Sequence, residues 1–197
     1  LAKRVKAPWV TDHLCWTGVL GRNVHDLLPI PYTEETLDLV ARNVRIVMDV
    51  LERPIFLENP STYLAFRQTT MPEWEYLARL AEAADIGFLL DVNNVYVSAF
   101  NHGFDPYAYI SAIPGDRVVQ FHVAGHTDKG THLLDTHSAP ARDEVWDLYA
   151  HAVQHFGHVT TLFEWDDEIP DFDAVHAEAL KARDVAMRAR VPEAACA

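Results

Sequence analysis

Cysteine is nearly absent from this chain: Cys15 and Cys196 are the only two in 197 residues. That excludes a disulfide framework and any zinc-ribbon arrangement, and it fits a reducing, cytoplasmic setting. Basic residues are scarce as well. Lys and Arg number 16 against 29 Asp and Glu, for a formal net charge of −13. A phosphate backbone repels such a chain, and the only basic cluster is Lys3-Arg4-Val5-Lys6, so nucleic acid is a poor partner. No run approaches the roughly 20 consecutive apolar residues that span a bilayer. No glycine-rich loop follows a strand-like segment, which weakens a nucleotide-binding sheet. What remains is 49% apolar and 23% charged, the balance of a globular protein rather than of a disordered chain or a coiled coil. Histidine is the unusual abundance, at 11 residues. With many carboxylates beside it, it supplies the donors of hard or borderline metal sites.

Short apolar runs alternate with helical patterns. The strand-like runs are Trp9–Leu14, Ile55–Glu58, Gly87–Asp91, Val118–Val123 and Thr160–Glu164. Thr33 reads as an N-cap, with Glu34 and Glu35 in the first turn of a helix reaching about Leu51. Further helices are expected from Pro72-Glu73 to about Ala84, after Asp105-Pro106 to about Ile113, from about Ala141 to Phe156, and from Asp171 to about Arg190. The segment carrying Pro29 and Pro31 is expected to be a long loop, and the tail from Val191 to be frayed. Strands alternating with helices predict parallel βαβ units, buried on both faces. A doubly wound sheet and a (β/α)8 barrel both fit. A full barrel needs about 250 residues. Five units are visible here, so a barrel reading expects roughly three more ahead of them. Residues 1–190 are read as one partial barrel domain and 191–197 as a disordered tail.

Each strand ends in a potential metal ligand: His13, Glu58, Asp91, His122 and Glu164. In parallel α/β folds the carboxyl ends of the strands share one rim, where active sites form. One such residue alone is more often a loop cap or a satisfied core group. Five converging acids and imidazoles repel one another and lose hydration unless cations compensate them. Asp135 and His137 lie at i and i+2, on one side of an extended segment, although a turn aspartate beside a surface histidine is equally ordinary. Asn93 shares a face with Asp91 if the strand continues, and Asn94 does so if the chain turns. Asp166 follows Glu164 at the same spacing, as an outer acid or general base. His25, His102, His126 and His132 fall in loops of the same rim and are read as supporting groups. His151, His155, His158 and His176 are read as outer surface. Cys15 reads as a small buried residue, and Trp16 and Trp165 as candidate pocket walls.

The ordered motifs Thr11-Asp12-His13-Leu14-Cys15-Trp16, Glu58-Asn59-Pro60-Ser61, Leu90-Asp91-Val92-Asn93-Asn94, Asn101-His102-Gly103-Phe104, Gln120-Phe121-His122-Val123-Ala124-Gly125-His126, Asp135-Thr136-His137 and Glu164-Trp165-Asp166 resemble the multinuclear non-heme iron-dependent oxidative enzymes. That resemblance implies a barrel related to xylose isomerase and endonuclease IV, holding two or three irons in mixed Fe(II)/Fe(III) states. It implies that Glu58 bridges two irons and that His13 binds one of them. Asp91, His122 and Glu164 would bind the other. Asn94 or Asn93, with Asp135 and His137, would hold a third, and Asp166 would act as acid or base. The family's first histidine ligand, on a strand before His13, has no counterpart here. The implied activity is O2-dependent oxidation of cysteine in a ribosomally made precursor peptide, for example to an oxazolone with a thioamide. A separate peptide-recognition protein would assist. The rival readings are a zinc or manganese hydrolase or isomerase on the same barrel and an inactive metal-binding fragment. Sugar isomerisation needs a lysine near the metals, and no strand end offers one.

Overall fold

The computed structural model describes residues 1–157 and 159–189. The readings made for His158 and for the tail 191–197 concern residues outside that range. The chain opens with α1 (Ala2–Val5), β1 (Val10–His13) and a pair of short strands, β2 (Trp16–Val19) and β3 (Arg22–Leu28). Then come α2 (Glu34–Leu51), β4 (Ile55–Glu58), α3 (Glu73–Ala84), β5 (Phe88–Asp91), α4 (Val92–His102) and α5 (Pro106–Ala112). After β6 (Val118–Ala124) a small pair, β7 (Thr127–Asp128) and β8 (Leu133–Leu134), precedes α6 (Asp143–Phe156), β9 (Thr160–Glu164) and α7 (Phe172–Ala189).

The main sheet has the order β1-β4-β5-β6-β9, and every pairing in it is parallel. Spatial order follows chain order without reversal. Each crossover therefore returns on the same side, which collects the helices on one face and the strand ends on one rim. That is the winding of a (β/α)8 barrel and not of a doubly wound sheet, whose strand order reverses. All four residues of β5 are buried, as a strand covered on both faces requires.

Helix starts follow local chemistry. The Thr33 hydroxyl accepts from the Thr36 amide and Thr36 answers with its own side chain, a reciprocal cap that sets the start of α2. Helix α2 then buries Leu37, Ala41 and Val44 along one stripe. Helices α3 and α6 bury Leu77, Leu80 and Ala84, and Val145, Leu148 and Ala152, at the same spacing. Among the described residues no helix is long and apolar enough to cross a membrane.

Two expectations are corrected. The segment read as a long loop before Pro29 is the antiparallel pair β2–β3. Its reversal places Leu20 at φ 50° and Gly21 at φ 76°, two successive left-handed residues that match the twist of a tight hairpin. A leucine at the first of them hid the signal. The second miss is α4. The sequence predicts no helix between Asp91 and Asp105 and leaves open whether the strand continues past Asp91; the Asp91 side chain accepts the Asn94 amide at 2.7 Å and turns the strand straight into a helix.

Candidate metal centre

The parallel register brings the polar strand ends together. His13 pairs in register with Glu58, and Asp91 with His122. Glu164 stands two residues further along, opposite Ala124. The Glu58 carboxylate is buried and divides its oxygens. Oε1 lies 3.1 Å from His122 Nδ1, and Oε2 lies 3.5 Å from His13 Nε2. His122 Nδ1 is also 3.2 Å from Glu164 Oε2 and 3.9 Å from Asp91 Oδ2. Glu58, Asp91, His122 and Glu164 thus offer donor atoms that all lie within 4.8 Å of one another, and His137, Glu164 and Asp166 form a second such set.

His137 joins the two sets. Its Nδ1 is 3.1 Å from Glu164 Oε2 and 3.2 Å from Asp166 Oδ2, while Nε2 is 2.8 Å from Asp135 Oδ1 and 3.9 Å from Asp91 Oδ2. Asp135 and His137 do come together, but not on one side of an extended segment. The backbone at His137 is left-handed (φ 45°) rather than extended, a strained state for a non-glycine residue that surrounding contacts must hold. Its amide donates to the Gly125 carbonyl at 3.1 Å, and its carbonyl accepts the Asp166 amide at 2.8 Å. A side chain at Gly125 would collide with the backbone of Ala139 and Pro140. Gly125→Ala is therefore expected to push this segment off β6, costing about 1–3 kcal/mol in urea denaturation and lowering metal affinity through His137.

Burial and charge oppose each other throughout the cluster. Burial raises the Asp91 carboxyl, His137 pulls it down, and Glu58 and Asp135 add to the rise, for a net value of about 7. Burial works against the charged form of His122, but hydrogen bonds to Glu164 and Glu58 outweigh it and raise the imidazole to about 10. For His137 burial is likewise outweighed, by Asp135 and then Glu164, and the ring rises to about 12. The same two imidazoles hold Glu164 well below the usual carboxylate range. Two imidazolium ions thus hold together a knot of carboxylates.

The donor set fits a metal. Asp91 Oδ2, Asn94 Oδ1 and His137 Nε2 are buried with no hydrogen-bond partner among the described residues; the close approach of His137 Nε2 to Asp135 lacks hydrogen-bond alignment. Unsatisfied buried oxygens and nitrogens are costly unless something coordinates them. Nitrogen and oxygen donors without thiolate suit iron, manganese or zinc. The two asparagines separate because the chain turns at Asp91. Asn93 is occupied on both sides, donating to Asp135 at 2.8 Å and meeting His126 Nδ1 at 2.8 Å. Asn94 donates to the Asn59 carbonyl and keeps Oδ1 free, and it lines the cavity.

That cavity, of about 320 Å³, is walled by His13, Glu58, Asp135, His137, Glu164 and Asp166, with Asp26 and Leu27 of β3 and Ser61 and Tyr63 of the loop after β4. Sequence reasoning missed several supports. The Asn59 side chain accepts the Asp91 amide at 2.9 Å and donates to its carbonyl at 3.0 Å, imitating one more strand residue. Ser61 donates to Asp135 Oδ2 at 3.1 Å, and Tyr63 accepts the Asp135 amide at 2.9 Å. Only their place just after a ligand-bearing strand hinted at them. His126 supports Asn93, whereas His102 meets Thr62 Oγ1 at 2.9 Å; His25 and His132 are exposed. Trp16 and Trp165 do not wall the cavity. Trp16 donates to the Pro29 carbonyl, and Trp165 packs on Phe163. Cys15 is half-buried and pairs with no base; burial and then Asp12 push its thiol up.

Comparison with known proteins agrees with this picture. A UPF0276 protein of Anaeromyxobacter sp. (strain Fw109-5) is 54% identical over 185 residues, which cover 94% of this chain and 65% of that protein. A UPF0276 protein of Caulobacter vibrioides (strain NA1000 / CB15N) is 52% identical over 93% of this chain and 65% of its own length. The chain therefore spans about 65% of the length of these curated relatives. Among solved structures, the IOLI protein, crystallised with a binding zinc atom, superposes with a TM-score of 0.61 at 14% identity, over 97% of this chain and 67% of that one. At that identity the likeness speaks for the fold alone, a parallel α/β barrel. Residues 1–187 match the family described as RiPP precursor modification enzyme MbnB/TglH/ChrH, and with half-identical relatives along nearly the whole chain, this protein belongs to that family.

Proposed function

We propose that this chain carries the metal centre of an iron- and O2-dependent enzyme that oxidises cysteine in a ribosomally made precursor peptide. The observation that carries the proposal is the pair of carboxylate–imidazole sets that share Glu164 at one rim, with His137 of the second set also 3.9 Å from Asp91 of the first, in a chain of a precursor-modifying family. His13 and Glu58 would hold one iron. Glu58 would reach the second with its other oxygen, beside Asp91, His122 and Glu164. Asn94, Asp135 and His137 would hold a third.

Iron bound by such donors with an open position supplies O2 activation. The protein supplies the rest. Asp166 is 62% exposed at the cavity wall and tethered to His137 Nδ1 at 3.2 Å, so its free oxygen can take the proton that a cysteine thiol gives up on binding. Glu58 and Asp91 are both buried, so their anionic oxygens would face the metal with little competing hydration. A separate recognition protein would deliver the peptide. Zinc or manganese chemistry is the second reading, because the same donors accept those ions.

The deciding experiment combines metal analysis with mass spectrometry of a co-expressed cysteine-containing precursor peptide. The expected result is about two to three iron ions per chain and an oxidative mass change confined to cysteine. Stoichiometric zinc with no O2 uptake would remove the iron reading. His176, stacked on Phe172 on the outer helix α7, is the control: His176→Ala leaves the iron content unchanged.

A further inference from the structure

A second cavity, of about 340 Å³, lies behind the loop after β4. That loop divides the two hollows. Pro60, Ser61 and Tyr63 face the metal cavity, while Thr62, Leu64 and Phe66 face the second one. The second hollow is mostly apolar and aromatic, with Tyr32, Met71, Trp74 and Phe104 among its walls. At its inner side stands a carboxylate, Glu73, in the first turn of α3 and only 7% exposed.

Glu73 is an anomaly. Among the described residues no lysine or arginine pairs with it, and its only polar neighbours of consequence are the Tyr109 and Tyr32 phenols. Glu73 Oε1, Tyr32 OH and Tyr109 OH are all buried without a hydrogen bond of normal geometry. Burial raises the carboxyl and outweighs the lowering by the Tyr109 and Tyr32 phenols, leaving it at about 7. A bare carboxylate in an apolar hole costs stability unless a cation enters with it.

We infer that this cavity is a subsite for a lysine side chain of the substrate peptide, whose ammonium meets Glu73 and the Tyr32 phenol. Lysine matches the shape of the site. Its aliphatic stem suits an apolar throat such as Leu64 and Met71 provide, and an ammonium beside aromatic faces is attracted by them. Its donors find two unpartnered oxygens on the cavity wall, Glu73 Oε1 and the Tyr32 hydroxyl. The strongly acidic chain draws basic peptide segments toward it. The shared loop then explains specificity: a lysine seated on one side of residues 60–66 positions its neighbours over the metal cavity on the other. This rests on the peptide-modification reading, but its test does not need turnover.

The probes are two cysteine-free pentapeptides, Ac-Ala-Ala-Lys-Ala-Ala-amide and the same peptide with norleucine in place of lysine. Binding to the full chain is followed by NMR of the Trp74 indole. The lysine peptide is expected to bind about tenfold more tightly, as a charge-assisted hydrogen bond in a desolvated site should give, and Glu73→Gln should erase the difference. Leu64→Trp, a change at a 47% exposed wall residue, should block the lysine peptide without touching the carboxylate. It keeps the test informative if Glu73→Gln misfolds. Equal binding of the two peptides, tighter binding of the norleucine peptide, or no saturable shift at Trp74 would each overturn the subsite and leave Glu73 as a structural acid. Iron content measured on the same samples reports separately on the metal centre.

Discussion

Glu58→Gln is expected to lower iron content by at least one ion per chain and to cut turnover by more than about a hundredfold. Outer supports of metal ligands already cost 10- to 100-fold when removed, so a bridging ligand should cost more. Glu58 is 5% exposed, and its two oxygens face two different imidazoles. Glutamine keeps the shape but replaces one anionic oxygen with an amide nitrogen that cannot coordinate. The fold should survive, because His122 keeps its contact with Glu164 at 3.2 Å. Metal analysis and peptide mass spectrometry on the same preparation check this. Unchanged iron and an unchanged rate would mean that no ion sits between His13 and His122.

The second large effect is a proton count. With the imidazoles raised to about 10 and about 12, both are protonated in the metal-free protein at neutral pH, and coordination requires them neutral. Metal binding at pH 7 is therefore expected to release about two protons, plus a fraction from Asp91, and apparent affinity should rise about a hundredfold per pH unit. Calorimetric titration in buffers of different ionisation enthalpy measures the release. A release near zero would show that the imidazoles are already neutral and that the ion-pair network is misread.

The sign for the metal-free fold follows from the same groups. The histidine contribution is fully present below pH 6.5 and is lost as pH rises through about 10 and 12. The Glu164 contribution is present above pH 4.5 and is lost as pH falls below it. These are two views of one network and do not add. Metal-free protein should accordingly be most stable between those limits, and removing His122 alone should cost about 3–5 kcal/mol by stranding buried carboxylates.

Much of the centre could be read before any coordinates, because each strand is short and ends where its apolar run ends. Glu58, Asp91 and Glu164 close their strands, and His122 stands two residues before the end of β6. The roles of Asn93 and Asn94 could not be read, since a strand and a helix start present them on different faces. Asp91 acting as an N-cap decided it. The contribution of Ser61 and Tyr63 was equally hidden, because they reach Asp135 across more than 70 residues of chain. Glu73 looked like an ordinary first-turn acid, a placement that the helix dipole favours on any surface. Burial beneath Tyr32 and Trp74 makes it a different object.

Residue order alone was enough to establish the alternation of buried strands with amphipathic helices and an acid or imidazole at or near the end of each main-sheet strand, because hydrophobic period and capping act over a few residues. Folding in three dimensions settled the distances: which oxygen of Glu58 faces which histidine, the left-handed turn that swings His137 between two carboxylate sets, and the loop that parts one cavity from another. Those depend on register and packing between segments far apart in the chain, and no local pattern encodes them.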